Sequence, residues 1–98
     1  MKAGHNVSLM PRVVFTANLQ RHVPCPPCQV AGRTAREALD QAFALYPRVR
    51  SYVLDEHGAL RRHMAVFVNG RPAADREGLG DPVQDADEVM VMQALSGG

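Results

Sequence analysis

The sequence predicts an α+β domain in which a mixed sheet of four to five strands packs against one main helix. Three observations carry this prediction. Thr34 and Glu37 form a capping box that starts a helix, Asn69-Gly70 closes an apolar run as a hairpin turn, and an alternating apolar run follows Val89. Strand signals therefore flank a helix signal on both sides, which favours a helix layer covering one face of a sheet.

The first strand is predicted from Val13 to Leu19, which is rich in strand-forming residues. A polar stretch leads to Pro24, and Cys25-Pro26-Pro27-Cys28 reads as a rigid turn because proline fixes the backbone. Residues 29–31 then return as a second strand. The pattern predicts a hairpin.

The main helix begins after Thr34 and ends before Pro47, because the residue that precedes a proline is disfavoured in the helical region. Its apolar positions follow the helical period and comprise Ala38, Leu39, Ala42, Phe43 and Tyr46. The pattern weakens from Arg48 to Arg62, and we expect a long loop there.

The last part of the chain predicts a hairpin and a final strand. Met64 to Val68 is predicted to be a strand, and the chain returns from it through Arg71-Pro72. Residues 82–84 suggest a helical turn. Asp85 to Glu88 then form a turn before the last strand, which runs to Leu95. Side chains alternate along that strand, so Val89, Val91, Gln93 and Leu95 share one face while Met90, Met92 and Ala94 share the other. The complete order is that of a β-grasp, or ubiquitin-like, domain.

Length and composition bound the function. The 98 residues allow one small domain and exclude most multi-substrate enzymes, while 46% hydrophobic and 21% charged residues are typical of a globular protein. No apolar run is long enough for a membrane span, and the first nine residues lack the apolar segment of a signal peptide, so we expect a cytoplasmic protein without a membrane partner. We expect residues 1–9 to be a disordered extension, 10–94 the domain and 95–98 a flexible tail.

Charge is unevenly placed along the chain. The net charge of +1 argues against nucleic acid as a partner. The charges are nevertheless segregated: the residues up to His63 include nine basic and four acidic residues, and the residues after His63 include two basic and six acidic ones. This segregation indicates either two ends of the fold on opposite faces or a polarised surface that steers a protein partner.

The two cysteines, Cys25 and Cys28, leave three interpretations open. The first and favoured one is a structural turn with incidental thiols. The second is half of a metal site completed by His5, His22 or His63, and the third a redox disulfide. The chain has no phosphate-binding glycine loop and no catalytic spacing, so we expect no enzymatic activity of its own.

The sequence ends in Leu95-Ser96-Gly97-Gly98, directly after the predicted final strand. This ending on a β-grasp order resembles the ubiquitin-like sulfur-carrier family of the ThiS and MoaD type. The resemblance runs from Val13 to Gly98 and also rests on the Thr34 helix, on residues 66–70 and on the acidic turn before Val89. One departure is Ala86, where the family often has glycine: if the position requires a positive φ, alanine costs about 1 kcal/mol there.

The resemblance implies a carrier whose terminal Gly98 carboxylate is adenylated by a partner activating enzyme that uses ATP and magnesium. The resulting thiocarboxylate donates sulfur to an acceptor held by a second enzyme, a synthase, and the carrier itself binds no cofactor. Gly97 and Gly98 would thread a narrow tunnel, with Ser96 as hinge and Leu95 as anchor. The segment from Arg48 to Arg62 favours the cysteine-pathway carriers over the small subunit of molybdopterin synthase and the thiamine carrier.

Partner docking is expected on an adaptable apolar patch formed by Met90, Met92 and Phe67. Two other functions remain open. One is a ubiquitin-like modifier joined through Gly98 to lysines of other proteins, and the other is a small metal or redox module built on Cys25 and Cys28.

Overall fold

A computed structural model describes residues 10–93 of the chain. Five strands and three helices follow one another in the order β1 (Arg12–Phe15), α1 (Ala17–His22), β2 (Cys28–Gln29), α2 (Ala35–Leu45), α3 (Pro47–Val53), β3 (Met64–Val68), β4 (Arg71–Pro72) and β5 (Glu88–Gln93). None of the helices in this range is long and apolar enough to cross a membrane.

The strands form one mixed sheet in the order β2-β1-β5-β3-β4. Strands β1 and β5 run parallel at its centre, with Val13 opposite Val89, and the other neighbours are antiparallel. A parallel pair needs a long crossover, which here carries the helices and β3. This topology confirms the predicted β-grasp.

Helix α2 begins as the sequence predicts. The Thr34 hydroxyl accepts the Glu37 N–H at 3.1 Å, and the Glu37 carboxylate reaches back to the Arg33 N–H at 2.8 Å. The first two amides of the helix, of Ala35 and Arg36, donate to carbonyls of residues 81 and 79. The amides that a helix start leaves without partners are thus satisfied by the cap and by the loop before β5.

The core lies between α2 and one face of the sheet. The contributing side chains are fully or almost fully buried and include Val13, Phe15, Leu39, Phe43, Val66, Val89 and Val91. Gly32 passes directly beneath α2: a Cβ at this residue would lie 2.7 Å from the backbone nitrogen of Ala38. The helix can approach the β2 segment this closely because residue 32 has no side chain.

The strand predicted from Val13 to Leu19 is too long, because β1 ends at Phe15 and helix α1 follows it. The antiparallel pairing of the predicted hairpin is confirmed, with Val13 opposite Cys28, but α1 lies between the two strands and β2 is Cys28–Gln29 rather than residues 29–31. Helix α1 buries only Leu19, and a single apolar anchor produces no helical period.

The expected loop from Arg48 to Arg62 begins as helix α3. Pro47 ends α2 and also occupies the first turn of α3, where its missing N–H costs nothing. The helix buries Val49 and Val53, one turn apart. The expected helical turn over residues 82–84 is also absent, and Pro82 instead forms an isolated bridge with Thr34.

Both predicted turns in the second half are confirmed. Asn69 and Gly70 have φ angles of 50° and 81°, as the two-residue hairpin with mirror-image turn geometry requires. In the acidic turn Ala86 has a φ of 70°, so this position does hold alanine in the left-handed region.

The predicted extension of residues 1–9 and the predicted tail of residues 95–98 lie outside the described residues. Nearly all of the predicted domain, 10–94, lies within them.

Candidate functional site: the outer sheet face and the C-terminal strand

The face of the sheet that the helices leave open carries a straight apolar row. Met90 on β5 lies opposite Val14 on one side and Phe67 on the other, and Phe67 lies opposite Pro72. Directly paired residues point to the same face, so four strands contribute one side chain each. We call Val14, Met90, Phe67 and Pro72, with Met92 and Ala65 in the next row, the outer face.

The three docking residues predicted from the sequence therefore lie together. Met90, Met92 and Phe67 are each half-buried, whereas Val89 and Val91 on the same strand are fully buried in the core. Sequence reasoning missed Val14, Ala65 and Pro72, although the alternation of β1 around Val13 and Phe15 would have placed Val14 on the open face. The arrangement offers an apolar surface that includes two flexible methionines, which suits a reversible protein contact.

One end of the outer face is polar. Arg12 is exposed and lies opposite Glu88 in the parallel pair, and opposite Gln29 on its other side. The Asn69 side chain accepts the Glu88 N–H at 2.9 Å, and the Asn69 N–H donates to the Glu88 carbonyl at 2.8 Å. The hairpin turn is thereby joined to the start of β5, which fixes the polar end of the face.

Strand β5 is the middle strand of the sheet and the last strand before the C-terminal residues. It pairs along its length with β3 and over four residues with β1, and Gln93 is its last residue. The sequence-predicted reactive residues Gly97 and Gly98, with Leu95 and Ser96, lie outside the described residues. The five residues that follow Gln93 can reach at most about 17 Å from this rigid strand.

The cysteine pair lies at one edge of the sheet, where Cys28 begins the edge strand β2 and Cys25 precedes it by three residues. Cys25 is fully buried, Cys28 is half-buried, and both thiols are free. The Tyr46 hydroxyl donates to the Pro26 carbonyl at 3.0 Å, and the Tyr46 ring meets Phe15 edge-on at 6.4 Å. The turn is therefore attached to the end of α2 and packed on the core, as a structural role requires.

The chemistry of these thiols opposes a redox role. Burial raises the pKa of both, and for Cys25 the neighbouring Cys28 adds to the effect, whereas reactive thiols need a lowered pKa. Between residues 10 and 93 no three His, Cys, Asp or Glu side chains are grouped to hold a metal ion. Of the suggested ligands, His22 stacks on Tyr52 at 5.8 Å, His63 lies in a different surface cavity, and His5 is outside the described range.

A family model described as the ThiS family matches residues 27–98. The chain belongs to the ThiS family. No relative among curated proteins matches it. Small carriers of the ThiS type are generally not enzymes themselves, and the fold of this member is that of the ubiquitin-like sulfur carriers and modifiers.

Solved structures share the fold of this ThiS-family chain over almost their whole length. SAMP1 from Haloferax volcanii is 27% identical with a TM-score of 0.75, covering 90% of this chain and 98% of its own. CysO in the Amycolatopsis orientalis BexX/CysO complex is 24% identical with a TM-score of 0.75, covering 90% and 99%. CysO from Mycobacterium tuberculosis is 22% identical with a TM-score of 0.73, covering 87% and 99%. The two CysO likenesses show the fold.

Proposed function

We propose that this ThiS-family chain is a sulfur carrier whose Gly98 carboxylate is adenylated by a partner enzyme and converted to a thiocarboxylate. The observation that carries the proposal is the family match through residue 98, which includes Gly97 and Gly98, on a domain whose central strand ends only five residues earlier. A rigid sheet with a short glycine-ended segment suits delivery of one carboxylate into a partner's active site.

The chemistry requires a partner because a carboxylate is a poor electrophile. In the proposed sequence a Gly98 carboxylate oxygen attacks the α-phosphate of ATP, and pyrophosphate leaves. A sulfur nucleophile then attacks the acyl carbon, a carbon–sulfur bond forms, and AMP leaves with the bridging oxygen. Magnesium and ATP belong to the partner, and this chain contributes the acyl group and the surface that positions it.

The outer face is the proposed docking surface for the activating enzyme. Met92 lies opposite Ala65, toward the C-terminal end of β5. An aspartate there would place a charge in an apolar contact with the partner, while the core on the other face of the strand would stay intact. Met92→Asp should therefore reduce adenylation at least tenfold, which corresponds to about 1.4 kcal/mol or more. Gln41→Glu is the matched control, since Gln41 is exposed on α2 and the change adds the same charge.

The docking test is read as ATP–pyrophosphate exchange together with thermal unfolding. The proposal for the outer face requires that Met92→Asp lose exchange while its unfolding midpoint stays near that of the parent. Equal exchange by Met92→Asp and Gln41→Glu would contradict it. Phe67→Gln, on the neighbouring strand, provides a second perturbation of the same face.

For the sulfur acceptor we propose the cysteine-pathway type, in which the Gly98 thiocarboxylate attacks an aminoacrylate held on a pyridoxal-phosphate synthase and a peptidase later frees the cysteine. What favours it is the resemblance of the 48–62 segment to the cysteine-pathway carriers. Molybdopterin synthase and the thiamine pathway are the next acceptors to test. Incubating the thiocarboxylate with each synthase and measuring intact mass separates them: a cysteine adduct on Gly98 indicates the cysteine-pathway type, and return of Gly98 to the carboxylate indicates one of the others.

A second candidate is a ubiquitin-like modifier, favoured by the 27% identity to a small archaeal modifier protein. It would use the same activated Gly98, but with a lysine amine as the acceptor. Lys2 is the sole lysine in the sequence, which limits self-linked chains to that position. A blot of tagged protein in cells distinguishes the two: a ladder that disappears in a Gly98 deletion indicates conjugation.

The carrier function is tested by intact mass after incubation with candidate activating enzymes, ATP, magnesium and sulfide. Exchange of one oxygen for sulfur adds about 16 Da, and oxidation of a methionine or cysteine adds nearly the same, so dependence on ATP and on Gly98 is essential. A variant without Gly97 and Gly98 is the control for the tail. Cys25→Ser with Cys28→Ser removes the two thiols whose oxidation would add about 16 Da.

A further inference from the structure

Two arginine side chains from different helices converge above Gly58. A Cβ placed on Gly58 would lie 3.6 Å from Nη1 of Arg36 and 3.8 Å from Nη2 of Arg50, so both guanidinium groups lie within 4 Å of one point. Gly58, with a φ of 81°, leaves that point empty of side chain. Nη1 of Arg36 and Nη2 of Arg50 therefore lie no more than about 7.4 Å apart, the sum of those two distances, and two guanidinium groups cover the buried Gly58.

Arg36 is held in place, whereas Arg50 is not. The Arg36 guanidinium donates to the Gly58 carbonyl, to the Glu77 carbonyl at 3.2 Å and to the Gly78 carbonyl at 3.3 Å. These bonds use Nη2 and Nε, and Nη1 makes no hydrogen bond to the described residues. The Arg50 side chain makes none to them either. The two N–H groups on Nη1 of Arg36 and the five of the Arg50 guanidinium thus remain for an external acceptor.

No carboxylate of the described residues forms an ion pair with Arg36 or Arg50. The ion pair found between residues 10 and 93 is His57 with Glu56, at 3.9 Å on the exposed surface. Oδ1 of Asp55 accepts the backbone N–H groups of His57 and Ala59, at 2.8 and 3.0 Å, and Asp55 makes no ion pair with either arginine. The two like charges therefore lie near each other without a carboxylate in ion-pair contact, and an added anion there would relieve their repulsion.

A cavity of about 660 Å³ continues the positive surface beside the convergent pair. Arg61, Arg62 and Arg76 line it together with His63, and Asp55 and Glu77 are its acids. We call Arg36, Arg50, Arg61, Arg62 and Arg76 the arginine surface. Its residues lie on α2, α3 and the connecting loops, whereas the outer face is on the uncovered side of the sheet.

The geometry points to the arginine surface as a docking site for an acidic segment of a protein partner, with one carboxylate bridging Nη1 of Arg36 and Nη2 of Arg50. Guanidinium groups bind carboxylates through paired donors, and arginine is enriched in protein interfaces. A single exposed pair contributes little, so a useful contact needs several carboxylates along one segment, which the spread of five arginines matches. The net charge of +1 disfavours a nucleic acid as the occupant, because binding a phosphate backbone needs a strongly basic protein.

This contact does not depend on the chemistry at Gly98. Because the arginine surface belongs to the helix layer, a segment bound there leaves the outer face open for a second protein. A variant lacking Gly97 and Gly98 should bind the acidic segment as the full chain does, so failure of the carrier proposal and failure of this one are distinguishable.

The test is an NMR titration of the ¹⁵N-labelled full chain with hexaglutamate at low salt. Binding should shift the Nε–H signals of Arg36 and Arg50 and the amide of Gly58. Arg50→Gln should weaken binding about fivefold or more, whereas Arg48→Gln, on the same helix, should change it less than about twofold. The Arg50 side chain makes no internal hydrogen bond, so the Arg50→Gln variant should keep the thermal midpoint of the parent.

The matched arginine variants and two competing probes decide the proposal. Equal weakening by Arg50→Gln and Arg48→Gln would show that net charge alone explains the binding, which would overturn the proposal. So would the absence of shifts at Arg36, Arg50 and Gly58. Stronger binding at the same signals by a single-stranded oligonucleotide, or by inorganic phosphate, would overturn the choice of a protein segment.

Discussion

Replacing Ala86 with glycine should stabilise the protein, because Ala86 holds a left-handed backbone in the turn before β5. Its φ is 70° and its side chain is exposed, so glycine removes strain without removing a core contact. The left-handed conformation destabilises the folded protein by about 1–2 kcal/mol when the residue is not glycine. Glycine also gives the unfolded chain more conformational freedom, which offsets about 0.4–1 kcal/mol of the stabilisation gained by removing that strain. We expect a net gain of about 0.5–1 kcal/mol.

The assay for Ala86→Gly is urea unfolding followed by circular dichroism, with Ala44→Gly as the matched control. Ala44 is exposed in the last turn of α2, where glycine should lower the free energy of unfolding by about 0.5 kcal/mol. The same substitution is thus predicted to have opposite signs at two exposed positions. Equal destabilisation by both variants would refute the assignment of strain to Ala86.

Three other substitutions test single features of the fold by urea unfolding. Gly32→Ala should destabilise by about 1–3 kcal/mol, because the new Cβ would meet the Ala38 backbone nitrogen at 2.7 Å, and an unchanged midpoint would contradict that close approach. Thr34→Val should cost about 1 kcal/mol through loss of the helix cap while Thr34→Ser retains it, and equal losses would point to another cause. Hydrogen bonds from the backbone N–H groups of Gly78 and then Gly80 hold the pKa of the Asp75 carboxyl below its ordinary value. The ionised Asp75 therefore stabilises the folded protein at pH above the unfolded-state pKa of about 3.9, and this stabilisation is lost as the pH falls through the pKa of the folded state. Asp75→Asn should therefore be less stable than the parent at pH 7, and the difference should shrink in acid; a difference independent of pH would exclude this source.

The elements that the sequence predicts correctly have strong local signals. The hydroxyl and carboxylate of the capping box place the start of α2, and Asn69-Gly70 supplies two residues that tolerate positive φ. The alternation in β5 separates Val89 and Val91 from Met90 and Met92, which is why the methionines of the outer face could be predicted together.

The missed elements depend on contacts that are distant in sequence. Helix α1 is six residues long and held by Leu19 alone, and α3 shows only Val49 and Val53. The parallel pairing of β1 with β5 places Val14 beside Met90, and no local pattern contains that pairing. The convergence of Arg36 and Arg50 likewise depends on how the loop around Gly58 packs between two helices.

The most direct measurement of the central claim is fragmentation mass spectrometry of the C-terminal tryptic peptide after the activation reaction. Cleavage after Arg76 releases residues 77–98, which contain Met90 and Met92 but no cysteine. Fragment ions therefore separate methionine oxidation from a change at the end of the chain. We predict an ATP-dependent gain of about 16 Da confined to Gly98. A gain confined to the methionines, or none with any activating enzyme, would contradict the carrier function.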